Sequence, residues 1–397
     1  MADSYRISIC PQLLIGSRSV FQCEASLFLI ENRMKLPFSF AWVFACIIVF
    51  DCYGAETTTA TSGSAVRVLR AGVGLDADTP QGRGMQRFAD IVNDRSRGRL
   101  RIDVYASAKL GNDLPMISAL QKGTQDITSP DSSTLVELIR DFMVINYPFT
   151  FLGEKEADYI LDGPWGQGLL DALPTKNLVG LAFWENGFRQ LTNSKRAITS
   201  MAQVKGIRMR TMQNQMLIDS FNELGFEAVP MAFPKVYPAL ADKQVDGQEN
   251  PLPTILLSKF YEVQQHLTLS RHVYSAFVLL ISKQTWDSLA PDDRAILSAA
   301  AVEARGYQRR LNREVAAAAL DQLKKLGMQV TSIEVRDAEL VRRRLRPVFD
   351  KYNKEVGERS VVSMYVALSQ LRADQAGRPI SVPMQTPTVV PSQSKKL

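Results

Sequence analysis

From residue 66 onward the apolar positions alternate between two periods, and the switches between periods mark out elements. Residues 66–74 (VRVLRAGVG) alternate and predict a first strand. Residues 80–96 put Met85, Phe88, Ile91 and Val92 at helical spacing, an amphipathic helix. Residues 100–105 alternate again as a strand, 114–122 predict a helix and 126–128 a short strand. A polar loop follows at 131–134, and a helix starts near Lys155. The rhythm recurs as strands at 179–184 and 207–209, a helix at 216–224 and a strand at 227–230. Strand and helix in alternation predict an α/β protein with parallel sheet, folded as two lobes.

The longest periodic segment is 291–326. Pro291 opens it with Asp292 and Asp293 in the first turn, and Gly327 closes it. Tyr307, Leu311, Val315, Ala319 and Leu323 repeat every four residues along one face. As one helix it spans about 54 Å at 1.5 Å per residue, more than the width of one lobe. The other reading is two helices broken near Gly306. An interior glycine costs only about 1 kcal/mol relative to alanine, which does not force a break. Past Gly357 the pattern fades, although 361–371 suits a last helix.

The amino-terminal region has a different composition. Residues 34–54 read as a signal peptide, with Lys35 as the positive flank and 36–50 as its apolar core. Cys52-Tyr53-Gly54 supplies the cleavage-site residues. An apolar run this short suits a signal better than a membrane span, a retained anchor being the alternative. Asp51 before Cys52 is a poor context for lipid attachment. Residues 1–33 precede this signal and read as a mis-assigned upstream segment, the true start being Met34. The expected division is then a flexible leader at 55–65 and lobe I at 66–187 and 276–315. Lobe II takes 188–275 and 316–372, and a disordered, proline-rich tail takes 373–397.

All four cysteines (Cys10, Cys23, Cys46, Cys52) precede the expected cleavage point, so the exported chain relies on its core without disulfides. Of its 397 residues 46% are hydrophobic and 22% charged, ordinary for a globular protein. The net charge of +6 leans toward anionic ligands, but no basic stripe with interleaved aromatics points to nucleic acid. Catalytic signatures are absent from the sequence. His266 and His272 lie six apart, off the i, i+4 spacing of paired metal ligands, and no GxSxG, P-loop or dinucleotide fingerprint is present. No cofactor and no enzyme activity are expected.

The candidate chemistry gathers in 183–251. Arg189 follows the turn-like pair Asn186-Gly187, Arg210 ends the alternating run Ile207-Arg208-Met209-Arg210, and Asn250 is held extended before Pro251. Two guanidinium forks and an amide at strand ends suit a small carboxylate, which accepts paired planar donors.

The pieces GFRQLTN, KGIRMR, PMAF…VYPAL and VDGQENP, in that order, resemble the substrate-binding proteins of TRAP transporters over about 66–358. The resemblance implies a two-lobed periplasmic binding protein fold with a central cleft and a long helix spanning both lobes. It implies that Arg210 pairs with a ligand carboxylate, supported by Arg189 and Asn250. Phe233 falls where the family has an aromatic wall, or is a core side chain between Met231 and Val236. Asn214, with Gln213, falls beside the ligand. Asp113 (KLGNDLPM) and Asp131 (TSPDSST) match positions that touch ligand hydroxyls, or else cap a helix and a loop. Arg210 and Asn250 then belong to the second lobe, Asp113 and Asp131 to the first. Trp184 faces the cleft or, preferably, packs beneath Arg189. Three positions depart from the family: Lys235 replaces an acidic residue, and Gly74 and Thr134 replace contacts of sialic-acid binders, which argues against that ligand.

The implied function is capture of a small organic acid (a C4-dicarboxylate, sugar acid or keto acid) in the periplasm, for delivery to transporter membrane subunits. The alternatives are a sensory receptor of the same fold, a two-lobed hydrolase or lyase, or an extracytoplasmic scaffold.

Overall fold

A computed structural model of the chain describes residues 65–333 and 335–377. The expected upstream segment, signal peptide and all but the last residue of the leader lie outside them, as does the tail from 378.

The chain begins with β1 (Arg67–Gly72), α1 (Pro80–Arg95), β2 (Leu100–Tyr105), α2 (Asp113–Gln121) and β3 (Ile127–Thr128). Then come α3 (Glu154–Asp162), α4 (Pro164–Ala172), β4 (Leu178–Asn193), β5 (Arg208–Thr211), α5 (Gln215–Leu224) and β6 (Glu227–Pro230). The central part continues through α6 (Val236–Ala241), β7 (Gly247–Pro251), α7 (Leu252–Leu257), β8 (His266–Leu269), β9 (Tyr274–Ser282) and α8 (Lys283–Asp287). It ends with α9 (Pro291–Lys325), β10 (Gln329–Ser332), α10 (Val335–Val356) and α11 (Glu358–Gln375).

The strands form two sheets, one in each lobe, and β4 belongs to both. In the first sheet β2, β1 and β3 run parallel, and β9 lies antiparallel between β3 and β4. In the second sheet β4 pairs antiparallel with β7 and β8, while β5 runs parallel to β6 and β7, and β10 to β8. The expectation of parallel sheet therefore holds for the βα units only. Two long antiparallel strands join them because a chain passing between lobes and returning runs in opposite directions.

Within β4, Leu178–Phe188 pairs with β9 and Arg189–Asn193 with β7. The register slips between Glu185 and Gly187, where Gly187 has a φ of +113°. This bulge turns the strand out of one sheet and into the other. Asn186-Gly187, expected as a turn, is thus a kink inside a sixteen-residue strand. The sequence hid the strand's length because its last twelve residues are all buried, which removes the alternation that marks a half-exposed strand.

Helix α9 runs unbroken through Gly306 for 35 residues. It packs against α1 near its start, against β4 at its middle and against α7 near its end, so it spans both lobes. Its buried stripe is apolar at Leu297, Ala300, Ala301 and Ala304, polar at Gln308, Arg309 and Asn312, and apolar again at Ala319 and Leu323. The expected face through Tyr307, Leu311 and Val315 is only half-buried. The polar section explains the offset, because it meets backbone that the bulge leaves without sheet partners. Gln308 accepts from Glu185 N at 2.8 Å and donates to Glu185 O at 2.7 Å, and Asn312 donates to Asn186 O at 3.2 Å. Arg309 and Arg313 reach Asp158 on α3, at 2.9 and 2.8 Å, and Arg313 also pairs with buried Glu185 at 2.7 Å.

The two carboxy-terminal helices divide their contacts. On α10, Lys351 and Tyr352 both bind Asp219 of α5 at 2.7 Å. On α11, Arg372 pairs with Glu156 of α3 at 2.7 Å, and Trp165 of α4 donates to Ser360 O at 3.1 Å. Helix α11, expected in lobe II, therefore rests on helices that precede β4. It also continues to Gln375, into the span expected as tail. Among the described residues no helix is long and apolar enough to cross a membrane.

Gly187→Val tests the kink. A Cβ there sits 3.3 Å from Asn312 Nδ2, and a β-branched residue resists positive φ. The expected cost is about 1–3 kcal/mol, read as a lower denaturant midpoint at unchanged slope.

Candidate functional site

A cleft opens beside the bulge of β4, enclosing about 670 Å³ with its solvent-open part included. One wall comes from the first lobe, through Gly74, Gln81, Asn112, Asp113, Asp131 and Thr134. The other comes from the second lobe, through Arg210, Gln213, Met231, Phe233, Asn250 and Thr254. Asn186 and Arg189 of β4 lie between them, with Phe277 of β9.

Arg210 reaches the cleft from the end of β5. Its Nε and Nη2 donate to Met231 O at 3.0 and 2.7 Å, which leaves the Nη1 side of the fork uncommitted. The residue is 3% exposed, and among the described residues no carboxylate lies within ion-pair distance of it. Burial pulls its guanidinium down to about 10, and the charge of Arg189 acts in the same direction against Glu249, Asp131 and Asp113. It is a buried cation facing the cleft without an anion of its own.

Arg189 differs, although the sequence presents the two arginines alike. Its Nε and Nη2 hold the Glu249 carboxylate in a two-pronged pair, the Nη2 contact at 2.8 Å. Nη2 also reaches Asn250 Oδ1 at 3.1 Å, and Nη1 lies 3.5 Å from Ser275 Oγ. Both partners are fully buried. Burial alone raises the Glu249 carboxyl, but Arg189 and a 3.3 Å contact from His272 Nε2 outweigh it and hold the group at about 2. Asn250 is oriented by the same cluster, its Nδ2 donating to Gln248 Oε1 at 2.6 Å.

The two acidic residues meet at the first-lobe wall. Asp113, in the first turn of α2, accepts from Asp131 N at 3.0 Å through Oδ2. Its Oδ1 lies 3.3 Å from where a Cβ on residue 74 would stand, so Gly74 leaves that oxygen room. Burial raises the Asp113 carboxyl to about 7, with the Asp131 charge adding to the rise. Asp131 accepts from Ser133 N at 2.9 Å, capping the turn Ser132–Leu135, and from Asn186 Nδ2 at 3.0 Å. A Ser275 hydroxyl bond completes its set.

Six of the seven candidate residues line the cleft: Arg210, Arg189, Asn250, Phe233, Asp113 and Asp131. Phe233 also packs against Phe260, 6.1 Å between centroids, so it is wall and core edge at once. Asn214 is the exception. It caps α5, accepting from Leu217 N at 3.1 Å, and donates to Ser133 O at 3.0 Å, while its neighbour Gln213 faces the cleft. Trp184 is buried in the apolar cluster under β4. Asn186 also lines the cleft, a place its turn-like Asn-Gly pair does not signal, and nothing in the spacing of Gln81 signals its bond to Ser129 O, 2.7 Å long. Among the described residues no group of three or more His, Cys, Asp or Glu side chains is placed to hold a metal ion.

The family model for bacterial extracellular solute-binding protein, family 7 (DctP), matches residues 72–355. The chain belongs to that family. Its members include the solute receptors of TRAP transporters, a family of binding proteins. The chain is 34% identical to the 2,3-diketo-L-gulonate-binding periplasmic protein YiaO of Escherichia coli, over 68% of this chain and 82% of that one. It is 31% identical to the C4-dicarboxylate-binding periplasmic protein DctP of Rhodobacter capsulatus, over 74% and 88%. Among solved structures, the sugar acid binding protein of Advenella mimigardefordensis in complex with galactonate superposes with a TM-score of 0.75 at 40% identity. That match covers 77% of this chain and 98% of the other.

Two predictions concern charge in this family-7 site. Glu249→Gln leaves Arg189 buried without its anion, a loss of about 3–5 kcal/mol at neutral pH by denaturant unfolding. Because the Glu249 pKa is depressed from 4.5 to about 2, its stabilisation is complete above pH 4.5 and lost as pH falls toward 2. The variant's stability curve is correspondingly flatter over that acid range. Asp113 has the opposite sign. Its pKa is raised from 3.8 to about 7, so stability is present below pH 3.8 and lost as pH rises through 7. Asp113→Asn therefore melts higher than wild type at pH 8, by roughly 2–4 °C per kcal/mol recovered, and close to it at pH 4.

Proposed function

We propose that the protein is the periplasmic solute-binding component of a TRAP transporter. It captures a small organic acid through the guanidinium of Arg210 and delivers it to the transporter's membrane subunits. The observation that carries this reading is Arg210 itself, a cation held in a cleft between two lobes with no carboxylate partner among the described residues. A ligand carboxylate supplies that partner, in the planar geometry the free side of the fork accepts. Arg189 and Asn250 complete the second-lobe side as a fixed donor frame, and Phe233 supplies an apolar wall.

The ligands named for similar proteins support the choice of solute. They are galactonate, D-erythronate and succinate, each a small acid bound by a solute-binding protein of this family. Contacts from both walls are complete only when the lobes approach, so ligand shifts the population toward the closed form. Export by the amino-terminal signal then places the receptor in the periplasm.

The test is a thermal-shift screen of the purified chain against a panel of small organic acids. A ligand at a hundred times its dissociation constant adds about 2.7 kcal/mol. Arg210→Lys keeps the charge and loses the fork, so it should weaken the best ligand by about 10- to 100-fold in calorimetry. Unchanged affinity in that variant would sink the assignment.

A further inference from the structure

Resting on the Arg210 reading above, we infer that Asn214 is a positioning residue: its side-chain amide latches the second lobe onto the first and strengthens binding without touching the ligand.

The two walls of the cleft meet at a pair of turns. On the first lobe, Asp131 and Thr134 line the cleft, and Ser133 stands between them outside the lining. Asp131 Oδ1 accepts from Ser133 N at 2.9 Å, which fixes the turn that carries the Ser133 carbonyl. On the second lobe, Met212 and Gln213 line the cleft, and Asn214 follows them outside it. Asn214 Nδ2 donates to Ser133 O at 3.0 Å, and Ser133 Oγ lies 3.3 Å from Met212 Sδ. Both residues are buried.

Each side of this contact is held in place. The Asn214 carbonyl oxygen is spent on Leu217 N at 3.1 Å, the N-cap bond of α5, so its amide nitrogen is fixed in position and left for the first lobe. Ser133 follows β3 of the first sheet, whereas α5 packs on β5 and β6 of the second. The bond therefore exists only while the lobes are together. When they part, water replaces both partners, so the bond favours the closed form by only about three- to tenfold. Moving a two-state equilibrium from mostly open to mostly closed takes about 10⁴-fold. The latch thus assists a ligand in closing the cleft and cannot replace it. Because Asn214 lies outside the lining, the assistance is the same factor for every ligand, which separates a latch from a specificity contact.

Asn214→Ser isolates the latch. Serine caps a helix about as well as asparagine, but its shorter side chain cannot cap α5 and also reach Ser133 O. Calorimetry and stopped-flow kinetics on the purified chain use galactonate, D-erythronate and succinate as probes. The variant should bind each probe that wild type binds about three- to tenfold more weakly, by one common factor and through faster dissociation. Its denaturant midpoint without ligand should stay near that of wild type. Unchanged affinity, a loss that differs between probes, or a loss matched by a fall in the ligand-free midpoint overturns the latch while leaving the Arg210 site standing. No binding of any probe by wild type, or binding that survives Arg210→Met, removes the site reading and this inference with it. Should the serine variant not fold, Asn214→Gly, a tolerated cap without a side-chain amide, carries the same test.

Discussion

Among the described residues two guanidinium groups, Arg189 and Arg210, are buried at the cleft where the sheets meet, and only Arg189 is paired with a carboxylate. Taking a cation out of water costs several kcal/mol even after relaxation, so each needs an explanation. For Arg189 it is Glu249, held two-pronged and itself fully buried. For Arg210 it is partial: one carbonyl accepts two of its donors, and three carboxyl groups lie near without touching it. The shortfall leaves Arg210 a buried cation at the cleft without a carboxylate in contact among the described residues. Ion pairing with a neighbour would remove it, and Glu249 is kept from doing so by its engagement with Arg189 and His272.

That arrangement depends on β4. One strand carries the pairing of the first sheet up to Phe188 and that of the second from Arg189. The kink at Gly187 brings Asn186 to Asp131 and Arg189 to Glu249 within three residues. Helix α9 then binds the same kink from behind, through Gln308, Asn312 and Arg313. These polar contacts lie at the middle of the helix, with apolar packing on either side.

Regular elements were legible where one face is wet. Strand β6 matches its expected bounds, and α9 announced itself by Pro291, its acidic first turn and Gly327. Legibility failed where burial is complete. The second half of β4 shows no alternation to read, and its Asn-Gly pair carries the strongest local turn signal in the stretch. The stripe on α9 was misplaced because its central contacts are polar, and periodicity counts apolar residues only. For the candidate site, the sequence points to six residues that line one cleft but not to the partners each of them holds. Asn214 looked like its neighbours in the pocket motif, but its side chain is spent on the first turn of α5.

Arg189 and Arg210 show why partners decide function. Both are buried arginines near strand positions that face one cleft, and no property of the residues taken singly tells them apart. What distinguishes them is the placement of one glutamate, fixed by the pairing of β4 with β7 that sets Leu191 opposite Glu249. Shifting that register by one residue would turn the carboxylate to the other face of the strand. Arg189 would then be the unpaired cation and the cleft would lose its rigid side. The pairing of Arg189 with Glu249 is therefore a property of strand register.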